Sequence, residues 1–93
     1  MSDTSANALK DTGSRYELVE RDLTSHADYR REPGRLYIDH VFSPPALRGT
    51  GASGRLMAAI AGEAKAQGLK ITPICSYAAA WLQRSAPFKD LVG

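Results

Sequence analysis

The sequence predicts a mixed α+β / α/β domain: antiparallel strands first, then a central βαβ unit, then a short C-terminal helix. Three observations carry that reading. The first half alternates aromatic and β-branched residues with polar ones, as in "RYELVE" and "RLYIDHVF", with Pro33–Gly34 turning the chain before the second. The second half changes to a helical period, with Leu56, Met57, Ile60, Ala61 and Ala64 on one face. The apolar stretch "LKITPIC" then follows. Strand, helix, strand in series gives a parallel pair joined by a right-handed crossover.

The elements follow in order. Met1–Ser14 is small, polar and without period, and reads as a flexible tail ahead of one domain over residues 15–93. Arg15–Glu20 is a strand with Tyr16, Leu18 and Glu20 on one face and Glu17 and Val19 on the other. "RDLTS" is a turn, "HADYRRE" a weak strand, and Arg35–Phe42 the best strand, so the three make an antiparallel meander. Alternation along that last strand puts His40 on the face of Leu36, Ile38 and Phe42. The helix runs from Ser53 to Gln67 and stops at Gly68. Leu69–Cys75 is a strand whose Pro73 marks an edge or a bulge. Ser76–Arg84 is a short helix with Ser76 as N-cap.

Composition narrows the function classes. A chain of 93 residues buries one modest core, and its 43% hydrophobic and 24% charged residues are those of a globular protein. One cysteine forms no internal disulfide, which favours a reducing, cytoplasmic setting. The N-terminus lacks the basic-then-apolar pattern of a signal peptide, and no apolar run reaches membrane-spanning length. The net charge of +2 suits an anionic ligand and is too weak to indicate nucleic acid.

The stretch from Arg48 to Gly54 is the strongest local signal. Gly49, Gly51 and Gly54 precede or open the best helix, each costing backbone entropy. A helix N-terminus offers free N–H groups and the positive end of a dipole, and glycines let that backbone approach a phosphate. Arg48 adds a fixed charge with a bidentate fork. No Gly-Lys-Ser/Thr follows, so this is not a Walker A loop. Gly49, Gly51 and Gly54 reproduce the dinucleotide spacing, but they follow Pro44–Pro45 rather than a tight strand-to-helix turn. A plain loop with glycines for turning is the competing reading.

"Arg48-Gly49-Thr50-Gly51-Ala52-Ser53" resembles the acyl-CoA pyrophosphate loop of the GNAT superfamily of N-acetyltransferases, Gln/Arg-x-x-Gly-x-Gly/Ala. The likeness extends over roughly Arg15 to Val92, through "PICSYAAAWL" and the terminal "DLV", to small single-domain GNAT-like proteins made of little more than the CoA-binding core. The resemblance implies a GNAT-like fold whose two parallel strands splay apart around the pantetheine arm. It implies that acetyl-CoA or CoA is held by Arg48, Gly49, Thr50, Gly51, Ala52, Ser53 and Gly54, with Val41, Phe42, Cys75 and Tyr77 along the arm. It also implies catalytic roles for His40 and Cys75. Ser53 departs from the usual Gly or Ala, and Ser76 from an expected proline; both replacements are small.

The residues themselves support such roles. Acetyl transfer from a thioester to an amine needs a base, a stabilised oxyanion and a leaving thiolate. His40 is a fitting base, with an ordinary pKa near 6.5. Cys75 either protonates the leaving sulfur or accepts the acetyl group itself. Both lie at the carboxyl ends of adjacent parallel strands, where ligands of open α/β sheets bind. The competing readings are a hydrogen-bonded core histidine and a small buried hydrophobe. His26 reads as surface, and Tyr77 and Trp81 read as packing first, four residues apart on one helix.

The functional expectation is an acetyl-CoA-dependent N-acetyltransferase acting on a protein or small-molecule amine by direct attack. The alternative is a CoA or acyl-CoA binding module with little turnover. The expected partners are CoA and an amine, with no nucleic acid, membrane or metal, in a monomer or weak dimer. Longer GNAT enzymes wall the acceptor site with additional N-terminal helices, so here the acceptor cleft is expected to be open.

Overall fold

The computed structural model describes residues 9–93. In chain order the strands and helices are β1 (Lys10–Asp11), β2 (Arg15–Glu20), β3 (Leu23–Glu32), β4 (Arg35–Phe42), α1 (Ala52–Ala66), β5 (Lys70–Pro73) and α2 (Ser76–Arg84). Short 3₁₀ segments at Pro45–Leu47 and Ala86–Leu91 complete it. Sheet order equals chain order, β1-β2-β3-β4-β5.

Two tight turns build the meander. Arg21 and Asp22 sit at φ 53° and 61°, the left-handed pair that matches hairpin twist, and they join Glu20 to its partner Leu23. The turn is therefore shorter than "RDLTS", and β3 takes up Leu23–Ser25 as well as the weak strand expected after it. Pro33 presets φ for the second turn and Gly34 supplies φ 75°, joining Glu32 to Arg35. Of the tail expected over Met1–Ser14, residues 1–8 lie outside the described residues, whereas Lys10 and Asp11 pair with Glu17 and Tyr16.

One face of the sheet forms the core. Tyr16, Leu18, Ala27, Tyr29, Leu36, Ile38 and Ile71 meet Leu56, Met57, Ile60, Ala61 and Ala64 of α1 and Ala78 and Leu82 of α2 in a single cluster. The five apolar positions that predict α1 are all fully buried. Removing any such large side chain costs about 2–5 kcal/mol. Among the described residues no helix covers the opposite face, where Val19 is 46% exposed.

Helix α1 starts one residue earlier and ends one earlier than expected. Gly68 follows at φ 72°, with its N–H donating to the Lys65 carbonyl at 3.2 Å and the Leu69 N–H to the Ala64 carbonyl at 2.8 Å. This is a Schellman closure, which satisfies carbonyls left open by the helix end. Helix α2 begins at Ser76, so Cys75 is its N-cap, contrary to the expected Ser76, and no side chain caps it.

Two irregularities shape the end of β4. Its pairing with β3 passes from Tyr29↔Ile38 to Asp28↔His40, leaving Asp39 as an extra bulged residue. The Asp39 carboxylate takes the Arg30 guanidinium through two bonds of 2.9 Å. The bulge reverses the alternation beyond Ile38, so Val41 packs towards the core and His40 is exposed. The expectation that His40 shares the face of Leu36 and Ile38 is therefore wrong, and a single inserted residue is the reason.

The parallel β4–β5 pair runs from Arg35↔Lys70 to Ile38↔Pro73 and stops. There the Ile38 carbonyl accepts from both Ile74 N–H at 2.9 Å and Cys75 N–H at 3.1 Å. β5 thus ends at Pro73 rather than Cys75, and Asp39–Phe42 has no β5 partner. The two strands part beyond this point.

Candidate functional site

The site is built from the exit of β4. After Phe42 the 3₁₀ turn Pro45–Leu47 buries Leu47 and anchors the loop, with Arg48 N–H on the Pro45 carbonyl at 3.1 Å. Thr50 returns to the Leu47 carbonyl twice, through its N–H at 3.2 Å and its hydroxyl at 2.6 Å. Gly49 and Gly51 adopt φ 84° and 86°, left-handed values that cost other residues about 1–2 kcal/mol. Gly51 is the N-cap of α1, and having no side chain it caps nothing.

That local geometry leaves the entrance of the helix open. Among the described residues, the N–H groups of Gly49, Gly51, Ala52, Ser53 and Gly54 have no acceptor. They surround an open cleft of about 210 Å³ lined by Leu47, Arg48, Gly49, Gly51, Ala52, Ser53, Gly54 and Tyr77. Pockets that enclose drug-sized ligands measure about 300–1,000 Å³, so this one grips part of a ligand. Free donors at a helix N-terminus match an anion.

Two arginines differ in their freedom. Arg48 is exposed; its Nε donates to the Ser43 carbonyl at 3.1 Å and its guanidinium lies 5.6 Å from the Phe42 ring centre. Arg55, in the first turns of α1, is committed to Glu20 by bonds of 2.7 and 2.9 Å and to the Thr50 carbonyl at 2.8 Å. The hydrogen bond from Arg55 holds the Glu20 carboxyl below the ordinary glutamate range. Of these two, Arg48 is the cation available to a ligand, and Arg55 is a strut between the hairpin turn and the loop.

The far wall comes from α2. A methyl group on Gly54 would lie 3.4 Å from Trp81 Nε1 and 3.9 Å from the Tyr77 hydroxyl, so glycine lets α1 and α2 approach here. Burial raises the pKa of Tyr77, keeping its phenol protonated. Trp81 also stacks on Phe88 with ring centres 6.0 Å apart.

The expected site residues thus fall into four places. Arg48, Gly49, Gly51, Ala52, Ser53, Gly54 and Tyr77 line the cleft. Thr50 does not line it, because its hydroxyl and carbonyl serve the loop itself. Val41, Phe42 and Cys75 lie at the ends of the parting strands, and Cys75 is half-buried against the core. His40 stands on the uncovered face, paired across the strands with Asp28 and 6.5 Å from His26 between ring centres.

His26, read from sequence as plain surface, is stacked on Phe42 with ring centres 5.3 Å apart. Its pKa is lowered, first by burial and then by Arg15 and His40, against the opposing pull of Asp28 and Glu17. Sequence reasoning also passed over Glu20, Arg55, Ser25 and Ser43. Their partners lie 10 to 35 residues away in the chain, beyond any local pattern.

A family model described as GCN5-related N-acetyl-transferase matches residues 15–91. Among solved structures, a GCN5-like protein from Staphylococcus aureus, determined by NMR in solution, superposes with a TM-score of 0.74. The match covers 96% of this chain and 90% of that one at 24% identity, a likeness of fold. No curated protein matches the chain in sequence. With the family match spanning most of its length, the chain belongs to the GCN5-related N-acetyltransferase family.

Proposed function

We propose that this protein binds acetyl-CoA at the Arg48–Gly54 loop and transfers its acetyl group to an amine. The family uses acetyl-CoA as donor. The observation that carries the reading is the set of free N–H groups of Gly49, Gly51, Ala52, Ser53 and Gly54, beside Arg48, which has no carboxylate partner among the described residues, and the gap between β4 and β5. The diphosphate rests on those donors and on Arg48. The arm follows Val41 and Phe42 past Tyr77 towards Cys75, and Thr50 supports the loop from behind.

The bound thioester supplies an activated acetyl group. His40 takes a proton from the incoming ammonium, and its exposed position leaves room for the acceptor. The Cys75 thiol gives its proton to the departing sulfur, and the proton shed by the newly acylated nitrogen restores the thiol. Loop and strand ends hold donor and acceptor in a near-attack geometry, which lowers the barrier by several kcal/mol. The uncovered sheet face suits an acceptor presented by a protein or a loosely held small amine. A single free cysteine fits a reducing, cytoplasmic compartment.

Calorimetry with CoA and acetyl-CoA, followed by free-thiol release with a panel of amines, tests the reading. The expected result is binding of both, and thiol release only when an amine is present. At one hundred times its dissociation constant, CoA should add about 2.7 kcal/mol to folding stability. Intact-mass measurement without amine should show no acetyl adduct on Cys75. Absence of CoA binding overturns the proposal; binding without release reduces it to a CoA-binding module.

A further inference from the structure

Two polar residues of the described chain are buried: Ser25 is 1% exposed and Ser43 6%. Their hydroxyl oxygens lie 3.0 Å apart, and the Ser43 oxygen is 2.5 Å from that of Ser53. Ser25 sits on β3, Ser43 just after β4, and Ser53 at the second position of α1. Of the three, only Ser53 lines the cleft. The chain of hydroxyls therefore runs from the core to the open helix entrance.

Counting protons assigns it a direction. Each hydroxyl has one proton to donate. Three oxygens joined by two links leave one proton over. Neither Ser25 nor Ser53 has another hydroxyl partner among the described residues. If the links run inward from Ser53, the spare proton is stranded on buried Ser25. If both outer hydroxyls donate to Ser43, it is stranded there instead. A buried donor left without an acceptor keeps the full cost of its desolvation. Only the outward order, Ser25 to Ser43 to Ser53, delivers the spare proton to the cleft, and each bond in that order polarises the next.

We propose that Ser25 and Ser43 form a buried hydroxyl relay that fixes Ser53 as a hydrogen-bond donor into the cleft. Ser53 then joins the backbone N–H groups in presenting donors alone, which selects a ligand group that only accepts, an ionised phosphoryl oxygen. The relay rests on the reading of the loop as the diphosphate site of CoA. Ser25 and Ser43 are positioning residues. The backbone carbonyl of Ser43 also holds Arg48, and a Ser43→Ala substitution keeps that contact.

The test is CoA titration by calorimetry on Ser53→Ala, Ser43→Ala, Ser25→Ala and the Ser43→Ala/Ser53→Ala double variant, each shown to be folded by circular dichroism. Each single variant should lose roughly three- to tenfold in affinity, the worth of one hydrogen bond. In the Ser53→Ala background, Ser43→Ala should cost nothing further, a coupling that a packing defect would not produce. Wild-type affinity in Ser43→Ala, or the same loss with and without the Ser53 hydroxyl, overturns the relay while leaving the CoA site standing. Failure of the wild-type protein to bind CoA overturns both.

Discussion

The two ends of α1 are both marked by a glycine in the left-handed region, Gly51 at φ 86° and Gly68 at φ 72°, yet they do opposite things. At the C-terminal end the turn folds the following N–H groups back onto the Lys65 and Ala64 carbonyls and closes the helix. At the N-terminal end the same backbone excursion turns the chain away, and the N–H groups of Ala52, Ser53 and Gly54 stay open. Glycine at an N-cap costs a helix only a few tenths of a kcal/mol against a capping side chain, so leaving Gly51 uncapped costs little. One end is thus finished for stability, and the other forgoes a cap to keep its donors free.

Exchanging the glycines one at a time breaks the comparison most sharply. Gly51→Val and Gly68→Val each force a β-branched residue into the left-handed region, so each should lose about 1–3 kcal/mol of stability in chemical denaturation. Only Gly51→Val should also abolish CoA binding; its Cβ would press on Arg55 Nη1 at 3.2 Å. Equal loss of binding in both variants would show that the ends do not differ in purpose. Arg48→Ala should weaken CoA binding by about 1.5–3 kcal/mol, as for one hydrogen bond to a charged group, with wild-type melting. The wild-type affinity should fall with added salt more steeply than that of the variant.

The chemistry beyond the loop gives a smaller, pH-dependent effect. His40→Ala should lower turnover more at neutral pH than at high pH, where the amine loses its proton unaided. An equal loss at both values would assign His40 to structure. The smallest effect concerns Glu20. Its folded pKa is depressed by Arg55, so the stability it contributes is complete above the ordinary glutamate pKa and is lost as pH falls through the depressed value. Glu20→Gln should flatten that acid limb of the stability curve, and an unchanged limb would remove Arg55 from its role as strut.

Much of this was legible in the chain. Period and punctuation placed β4 to the residue, the buried face of α1, the Pro33–Gly34 turn and the loop ahead of α1. These are local properties, set by alternation, by proline and by glycine. What escaped the reading was non-local. The bulge at Asp39 has no signature in "RLYIDHVF", because it follows from pairing with Asp28 and Tyr29, and it moved His40 to the other face. The serine hydroxyl contacts join residues 18 and 10 positions apart, and serines in strands and loops are ordinarily solvated. β5 ends at Pro73, short of Cys75, because one carbonyl, that of Ile38, takes two N–H groups and stops the ladder.

The parallel pair also governs the order in which the molecule assembles. β2, β3 and β4 are joined by two-residue turns, so their ladders close short loops. The β4–β5 ladder joins Arg35 to Lys70 and must wait until α1 has spanned the distance. It is only four residues long, and the strand gap lies at its end. The region where the two strands part is therefore expected to be the last to form and the first to open. Amide exchange reads this directly: the Ile74 and Cys75 amides, held by one shared carbonyl, should exchange faster than those of the meander, and CoA should slow them first.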